Sequence, residues 1–383
     1  MAERPLLLDV SRLIWRVWTG RLPTGIDRVC LAYLDRFGAR SLAVVQRQEF
    51  RMVLPADLSD ALFALLCRGR PGFRRGLVRL LGQAVLRRKR LPLAGKLYLN
   101  IGHTGLDAPG LPGWLARRRL RPVFLIHDLI PITHPEFCRQ GESARHMARM
   151  RHALASAHGV IANSRATLDA LAAFAASEGQ SMPNSVVAWL GADEQVAPAR
   201  INPPARPFFV TIGTIEARKN HLLLLHIWER LAARLGDQTP ELVLVGQRGW
   251  EADDVFALLD RSPRLRGHVR ELGRCNDATM LAMIDNARAV LLPSFVEGFG
   301  IPLIEALQRG TPVIASDQPV FREIAGDLPL YLDPLDGQGW ETAIRDFMGD
   351  SPERQRQLAT IPQFRPHSWD DHFDRVEVWL TEL

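Results

Sequence analysis

Short apolar runs alternate with helix-patterned stretches twice along this sequence, and a proline-rich segment separates the two series. Such alternation is the pattern of βαβ units, whose parallel strands are covered by helices on both faces. In the first series it predicts strands at 5–10, 41–46, 96–100, 122–126, 159–162 and 185–188, with helices at 26–37, 142–156 and 165–177. The stretch 192–207 contains Pro198, Pro203, Pro204 and Pro207 and follows neither period, so it reads as a linker. A second series then predicts strands at 208–212, 241–245, 268–271, 289–293 and 312–315, with helices at 221–235, 252–259, 277–286 and 302–308. A chain of 383 residues exceeds what one core usually serves. The expected fold is therefore α/β with two Rossmann-like domains. They span 1–195 and 208–365, joined by a linker at 196–207 and followed by an amphipathic helical segment at 366–383. Return of that segment to the first domain is one destination for it.

Composition narrows the setting. With 47% hydrophobic and 23% charged residues the chain is ordinary for a globular protein. No apolar run approaches the roughly 20 residues of a spanning helix. The run from Leu6 to Leu8 is ended by Asp9, without the pattern of a secretory signal. Cys30, Cys67, Cys138 and Cys275 are far apart, with no CxxC spacing, and read as reduced thiols of a cytoplasmic protein. The net charge of +6 speaks to association rather than to fold, and no nucleic-acid role is expected from it. Its arginines concentrate in the N-terminal half. In 68–90 they mix with Phe73, Leu77, Val78, Val85 and Leu86 and end in Arg87, Arg88, Lys89 and Arg90. That is the pattern of a helix lying on an anionic membrane, or of a core-packed helix with a solvated basic face.

In doubly wound sheets ligands bind at the carboxyl ends of strands, so motifs directly after predicted strands carry the most weight. Four qualify. The first is Pro293-Ser294-Phe295-Val296-Glu297-Gly298-Phe299-Gly300-Ile301-Pro302, continuing to Glu305. Its glycines allow amides to point into a cleft, Pro302 suits a helix start, and the two carboxylates can accept hydrogen bonds from sugar and ribose hydroxyls. A surface loop leading into a helix is the plain alternative. The second is Gly213-Thr214-Ile215-Glu216-Ala217-Arg218-Lys219-Asn220, where Arg218 and Lys219 can neutralise a diphosphate beside a helix N-terminus. The third, Pro23-Thr24-Gly25-Ile26-Asp27-Arg28, reads as a phosphate-approach loop or as a simple helix entry. The fourth, His127-Asp128 with His134 and Glu136, admits a cleft pair, a structural histidine or a metal cluster of irregular spacing. Asp253-Asp254 is explained by the start of a helix, and Trp15, Trp18 and Trp114 by ligand stacking or core packing.

The run from Glu297 to Glu305 resembles the E-x7-E motif of the retaining glycosyltransferases of family 4. The segment from Gly213 to Asn220 resembles that family's G-T-[IL]-E-P-R-K-N, with Ala217 in place of proline. The segment at 127–136 resembles its H-D-L-I-P-x-x-H-P-E. The resemblance implies a GT-B architecture, two Rossmann-like domains facing across a cleft, with the donor bound chiefly by the C-terminal one. It also implies roles. Glu297 would hold donor-sugar hydroxyls, aided by the Gly298, Phe299 and Gly300 amides, and Glu305 would bind the ribose. Arg218 and Lys219, beside Gly213 and Thr214, would bind the leaving diphosphate, and Gly25 would approach the donor phosphate. His127 would line the sugar pocket, and Asp128 would orient the acceptor hydroxyl.

The reaction implied is transfer of a hexose from a nucleotide-diphosphate sugar, best matched by GDP-mannose. The acceptor is a glycan or lipid-linked glycan of a surface polysaccharide, without metal or cofactor, at the inner face of the membrane. A sugar-nucleotide epimerase or phosphorylase on the same fold, or a non-catalytic sugar-binding subunit, is the alternative. Glu297 and Lys219 sit outside the apolar stripes, so alanine at either is expected to lower transfer by orders of magnitude and leave the thermal midpoint nearly unchanged.

Overall fold

The computed structural model describes residues 4–20, 24–69, 72–87, 91–192, 197–273 and 275–383. The chain forms two compact units, one of Met1–Leu129, Ala144–Leu190 and Trp369–Leu383, the other of Ile130–Ser143 and Gly191–Ser368. Neither unit is a single stretch of sequence.

The first unit is built on seven strands: β1 (Leu6–Asp9), β2 (Ser41–Arg47), β3 (Phe50–Val53), β4 (Leu97–Asn100), β5 (Arg121–Ile126), β6 (Gly159–Ala162) and β7 (Asn184–Val187). Their order is β3-β2-β1-β4-β5-β6-β7. All pairs are parallel except β2 with β3. Residues of β1 and β6 are buried throughout, as strands covered on both faces should be. Periodicity does not reveal β3, which is short, half-exposed and at the edge. Its two-residue turn has a left-handed Gln48 (φ 52°) where glycine would have announced a hairpin.

The C-terminal helix Trp369–Glu382 packs in this unit. Phe373 meets Tyr33 and Phe37 edge-on, with ring centroids 5.1 and 5.4 Å away. His372 Nε2 lies 2.9 Å from the Tyr33 hydroxyl. Gly159 is where β6 passes under this helix, since a Cβ there would lie 2.5 Å from the Trp379 ring.

The basic stretch forms the end of helix Ala56–Arg68 and the helix Phe73–Arg87. Phe73 and Leu77 are buried, but Val78, Val85 and Leu86 are 63%, 51% and 85% exposed. Arg70, Arg88, Lys89 and Arg90 lie outside the described residues. Among the described residues no helix is long and apolar enough to cross a membrane. Trp114 is a core residue against Tyr98, whereas Trp15 is exposed beneath the Arg47 guanidinium.

The second unit is built on β8 (Phe208–Ile212), β9 (Glu241–Val245), β10 (Val269–Gly273), β11 (Val290–Leu292), β12 (Val313–Ser316) and β13 (Leu330–Leu332). The sheet is wholly parallel in the order β10-β9-β8-β11-β12-β13. Counted from its own first strand this is 3-2-1-4-5-6, the Rossmann order, whose direction reverses between β8 and β11. One face is filled by Phe209, Leu242, Leu244, Trp228, Trp340 and Phe347. The indoles of Trp228 and Trp340 donate to the carbonyls of Pro240 (2.9 Å) and Asp333 (3.0 Å), so neither buried N–H lacks a partner. Asp253 and Asp254 lie in the first turn of helix Asp253–Arg261, the helix-start explanation expected for them.

Candidate active site

Where strand order reverses, the loops after two neighbouring strands diverge and leave a crevice at their carboxyl ends. In the second unit those strands are β8 and β11, and the loops are 213–220 and 293–300. Close approach of backbone shapes the first loop. A Cβ on Gly246, after β9, would lie 1.8 Å from the Gly213 carbonyl oxygen, and one on Gly249 would lie 2.5 Å from Thr214 Cγ2. Gly213 itself has φ +139°, open to glycine and strained for any other residue. A short 3-10 turn, Ala217–Lys219, and left-handed Asn220 then lead into helix His221–Leu235. The second loop ends at Gly300 (φ 114°), where a Cβ would press on the Phe321 ring, and enters helix Ile301–Gln308 with Pro302 in its first turn.

These loops converge on Glu297. Its Oε2 accepts from Arg218 Nη1 at 2.7 Å, and its Oε1 from Lys219 Nζ at 2.5 Å and Ser294 Oγ at 2.7 Å. Arg218 Nη1 also donates to the Val296 carbonyl at 3.1 Å, and its Nε lies 2.6 Å from Glu216 Oε1. The Phe295 amide donates to the Arg218 carbonyl at 2.8 Å, so the loops are joined through main chain as well. The Lys219 and Glu297 side chains are only 11% and 8% exposed. This overturns the expectation that alanine at either would leave stability untouched, because a buried ion pair cannot lose one member cheaply.

Burial pushes the Glu297 carboxyl up, but Lys219, Arg218 and the hydrogen bonds from Lys219 and Ser294 outweigh it and hold the group at about 2. Burial pulls the Lys219 ammonium below its usual range, with Glu297 opposing and Arg218 adding to the fall. Burial raises Glu216, against the pull of Arg218 and Lys219. His221, at the start of its helix, is brought down to about 3 by burial and then by Lys219, so its ring is neutral. The arrangement is two cations and a buried carboxylate at the mouth of a nucleotide-type sheet. A bound diphosphate would compete with Glu297 for both cations, freeing carboxylate oxygens to accept hydroxyls.

Of the residues singled out in the sequence, Gly213, Thr214, Arg218, Lys219, Glu297, Gly298, Phe299 and Gly300 lie on these two loops. Glu305 lies in the second turn of the helix that follows. Glu216, Ser294, Gly246 and Gly249 were not singled out. Ser294 lies inside the quoted motif, and a glycine directly after the apolar run 241–245 is the signal for Gly246.

His127, Asp128 and Gly25 belong to the first unit. His127 follows β5, is buried, and donates from Nε2 to the Ile101 carbonyl at 2.7 Å. Burial lowers it to about 4, leaving a neutral ring. The reading of the sequence missed His103, after β4. This residue is left-handed (φ 58°), its ring centroid is 5.1 Å from that of His127, and its Nε2 donates to the Leu125 carbonyl at 2.8 Å. The half-buried Asp128 accepts from His146 Nε2 through its carbonyl at 3.1 Å. His134 and Glu136 belong to the second unit. Among the described residues no three His, Cys, Asp or Glu side chains gather as a metal site.

Gly25 does not follow β1 directly, because helix Ser11–Thr19 intervenes. It is the exposed first residue of helix Gly25–Phe37, which Thr24 and Asp27 cap reciprocally. Asp27 is buried with Arg12 Nε at 2.8 Å and Arg16 at 2.5 Å. The geometry is that of a helix entry, which is also where a phosphate can approach backbone amides, and Pro23 lies outside the described residues.

Residues 194–361 match the family model described as glycosyl transferases group 1. That range takes in all six strands of the second sheet. The chain is 36% identical over 163 residues to O-antigen chain mannosyltransferase B of Escherichia coli, a match covering 42% of each protein. It is 47% identical over 102 residues to O-antigen chain mannosyltransferase RfbU of Salmonella typhimurium, covering 26% of this chain and 28% of that one. The chain thus spans less than half the length of these known relatives. The fold extends further. The structure of Anabaena Alr3699/HepE in complex with UDP and glucose superposes with a TM-score of 0.67 over 99% of both chains, at 17% identity. The expected α/β fold with two Rossmann-like units is therefore that of the whole chain. The family-4 resemblance and the range matched by the family model coincide on the Arg218, Lys219 and Glu297 loops.

Proposed function

We propose that this chain is a retaining hexosyltransferase that moves mannose from GDP-mannose to a hydroxyl of a glycan or lipid-linked glycan in surface-polysaccharide assembly. The observation that carries the reading is the Arg218, Lys219 and Glu297 set at the point where the second sheet reverses. Matches to two O-antigen mannosyltransferases support the sugar and the pathway class, and the fold of a protein crystallised with UDP and glucose supports a nucleotide-linked donor.

As the anomeric C–O bond breaks, its electron pair goes to the diphosphate, and Arg218 and Lys219 stabilise the charge that develops there. Glu297, released from the cations, accepts hydrogen bonds from donor-sugar hydroxyls, while the 298–300 amides and Glu305 hold the rest of the donor. The departing oxygen takes the acceptor proton, so no separate nucleophile is required. The family resemblance assigns His127 to the donor sugar and Asp128 to the acceptor hydroxyl. The test is a panel of nucleotide sugars incubated with purified chain, with mass spectrometry of the acceptor-free hydrolysis products. Release of mannose and GDP is expected; turnover of a different donor alone would replace the sugar assigned here, and turnover of none would end the reading.

We place the activity at the inner face of an anionic membrane. Helix Phe73–Arg87 supports this by exposing Val78, Val85 and Leu86 beside Arg74, Arg75, Arg79 and Arg87. Apolar insertion flanked by cations suits such a surface, each cation contributing about 1 kcal/mol. Co-sedimentation with vesicles containing anionic lipid should weaken at high salt and on replacing Val85 and Leu86 by Ser. Absence of binding at low salt refutes the placement and leaves the transferase reading intact.

A further inference from the structure

The segment Ile130–Ser143 belongs to the second unit, although the residues on either side of it, Leu129 and Ala144, belong to the first. Two of its contacts fall on the loops after β9 and β11, the strands that flank β8. Phe137 stacks on Phe295 with centroids 5.0 Å apart and planes within 6°, and His134 stacks on Phe137 with centroids 6.2 Å apart. Two residues on, the Arg139 guanidinium lies 4.5 Å from the centre of the Trp250 ring. Phe295 is two residues before Glu297, and its amide is bonded to the Arg218 carbonyl. Trp250 follows Gly249, whose backbone packs on Thr214 and Ile215.

We propose that Phe137 is a positioning residue for the donor site, acting through Phe295, and that the segment 130–143 is a crossbar holding the β9 and β11 loops in register. The physical need is plain. The 293–297 loop presents a buried carboxylate to two cations from another loop, and an irregular backbone held at one end would sample other positions. A planar stack fixes Phe295 on its side-chain face while the Arg218 carbonyl fixes its amide, so Glu297 is delivered to one place. The Arg139 and Trp250 contact gives the crossbar its second foot. No side chain of the segment needs to touch the donor for this role. Its influence on the donor rests on the function proposed above; its influence on the loop does not.

The test uses the full chain with Phe137→Ala, Phe137→Tyr and Phe295→Ala, and the double variant Phe137→Ala/Phe295→Ala. Amide hydrogen exchange of the 293–300 segment, without donor, should speed up by about 2- to 12-fold in Phe137→Ala, the range an aromatic pair is worth. It should return to the parent rate in Phe137→Tyr. The donor KM should rise by a similar factor with kcat little changed, and the double variant should be no worse than the weaker single, as coupling through one contact requires. Unchanged exchange in Phe137→Ala, or additive effects in the double variant, overturns the proposal whatever the enzyme transfers. Absence of turnover in the parent with every donor would count against the assigned function alone, and the exchange measurement would still decide the crossbar.

Discussion

Replacing Glu297 by Gln keeps the shape of the side chain and removes its charge. In the parent, the carboxylate receives Arg218 at 2.7 Å, Lys219 at 2.5 Å and Ser294 at 2.7 Å, with 8% of the side chain exposed. The amide oxygen of Gln can replace one of these acceptors, but its NH2 must then face a cation. Arg218 retains Glu216 at 2.6 Å, and Lys219 is left beside Arg218 with only the weaker pull of Glu216 to compensate it. Removing one member of a buried pair costs about 3–5 kcal/mol. At roughly 2–4 °C per kcal/mol for a domain of this size, the thermal midpoint should fall by roughly 6–20 °C. Lys219→Met should cost less, about 1–3 kcal/mol, because Arg218 and Ser294 still satisfy Glu297.

A second signature separates electrostatics from packing. Glu297 is the strongest influence holding the Lys219 ammonium up against burial. Without it the lysine falls further below its unfolded value. A lysine depressed in the folded state costs stability while protonated, and that cost is relieved as pH rises toward the unfolded value. The deficit of Glu297→Gln should therefore shrink as pH rises from neutrality toward the ordinary lysine value of 10.5. Differential scanning calorimetry across that range is the assay. A midpoint indistinguishable from the parent's, or a deficit larger for Lys219→Met than for Glu297→Gln, would refute the reasoning.

The parent itself should lose stability in acid. Glu297 sits at about 2 when folded against an ordinary 4.5, so its contribution, about 3 kcal/mol, is complete above about pH 4.5 and is lost as pH falls through about 2. Urea denaturation in that window should show a shallower fall for Glu297→Gln. Gly246→Ala should cost more than about 3 kcal/mol or prevent folding, because its Cβ would lie 1.8 Å from the Gly213 oxygen. Gly82→Ala, with nothing within 4 Å in the helix Phe73–Arg87, should instead gain up to about 1 kcal/mol. Circular dichroism melts of the two read this contrast directly, and equal effects would discredit the close-approach argument. Transfer activity should survive excess chelator, since Arg218 and Lys219 supply the charge a divalent ion supplies elsewhere; a strict need for added magnesium or manganese would overturn that mechanism.

The elements themselves were legible because their causes are local. A buried parallel strand must be apolar for several residues running, a covering helix must repeat near 3.6, and a ligand loop must follow a strand, all of which short windows of sequence display. Hence the runs at 208–212 and 241–245 coincide with β8 and β9, and the motifs around Gly213 and Glu297 fall after β8 and β11. Features that depend on distant partners were not legible. Arg218 and Glu297 are separated by 79 positions, and only the order of the sheet brings their loops to one crevice. Burial then turns what reads as solvated charge into a network whose loss should destabilise the unit. The place of Gly246 directly after an apolar run marks it, but its need for glycine shows only once the Gly213 carbonyl is seen beside it. Phe137 belongs, by sequence, to the middle of the first series, yet it packs on Phe295 in the second unit. Sequence by itself determined the α/β layers and which loops carry charge, since both follow from residue type and period. Which of those charges are buried together, and which chain segment clamps them, was decided by tertiary structure, because desolvation and close packing exist only once distant segments exclude water from one another.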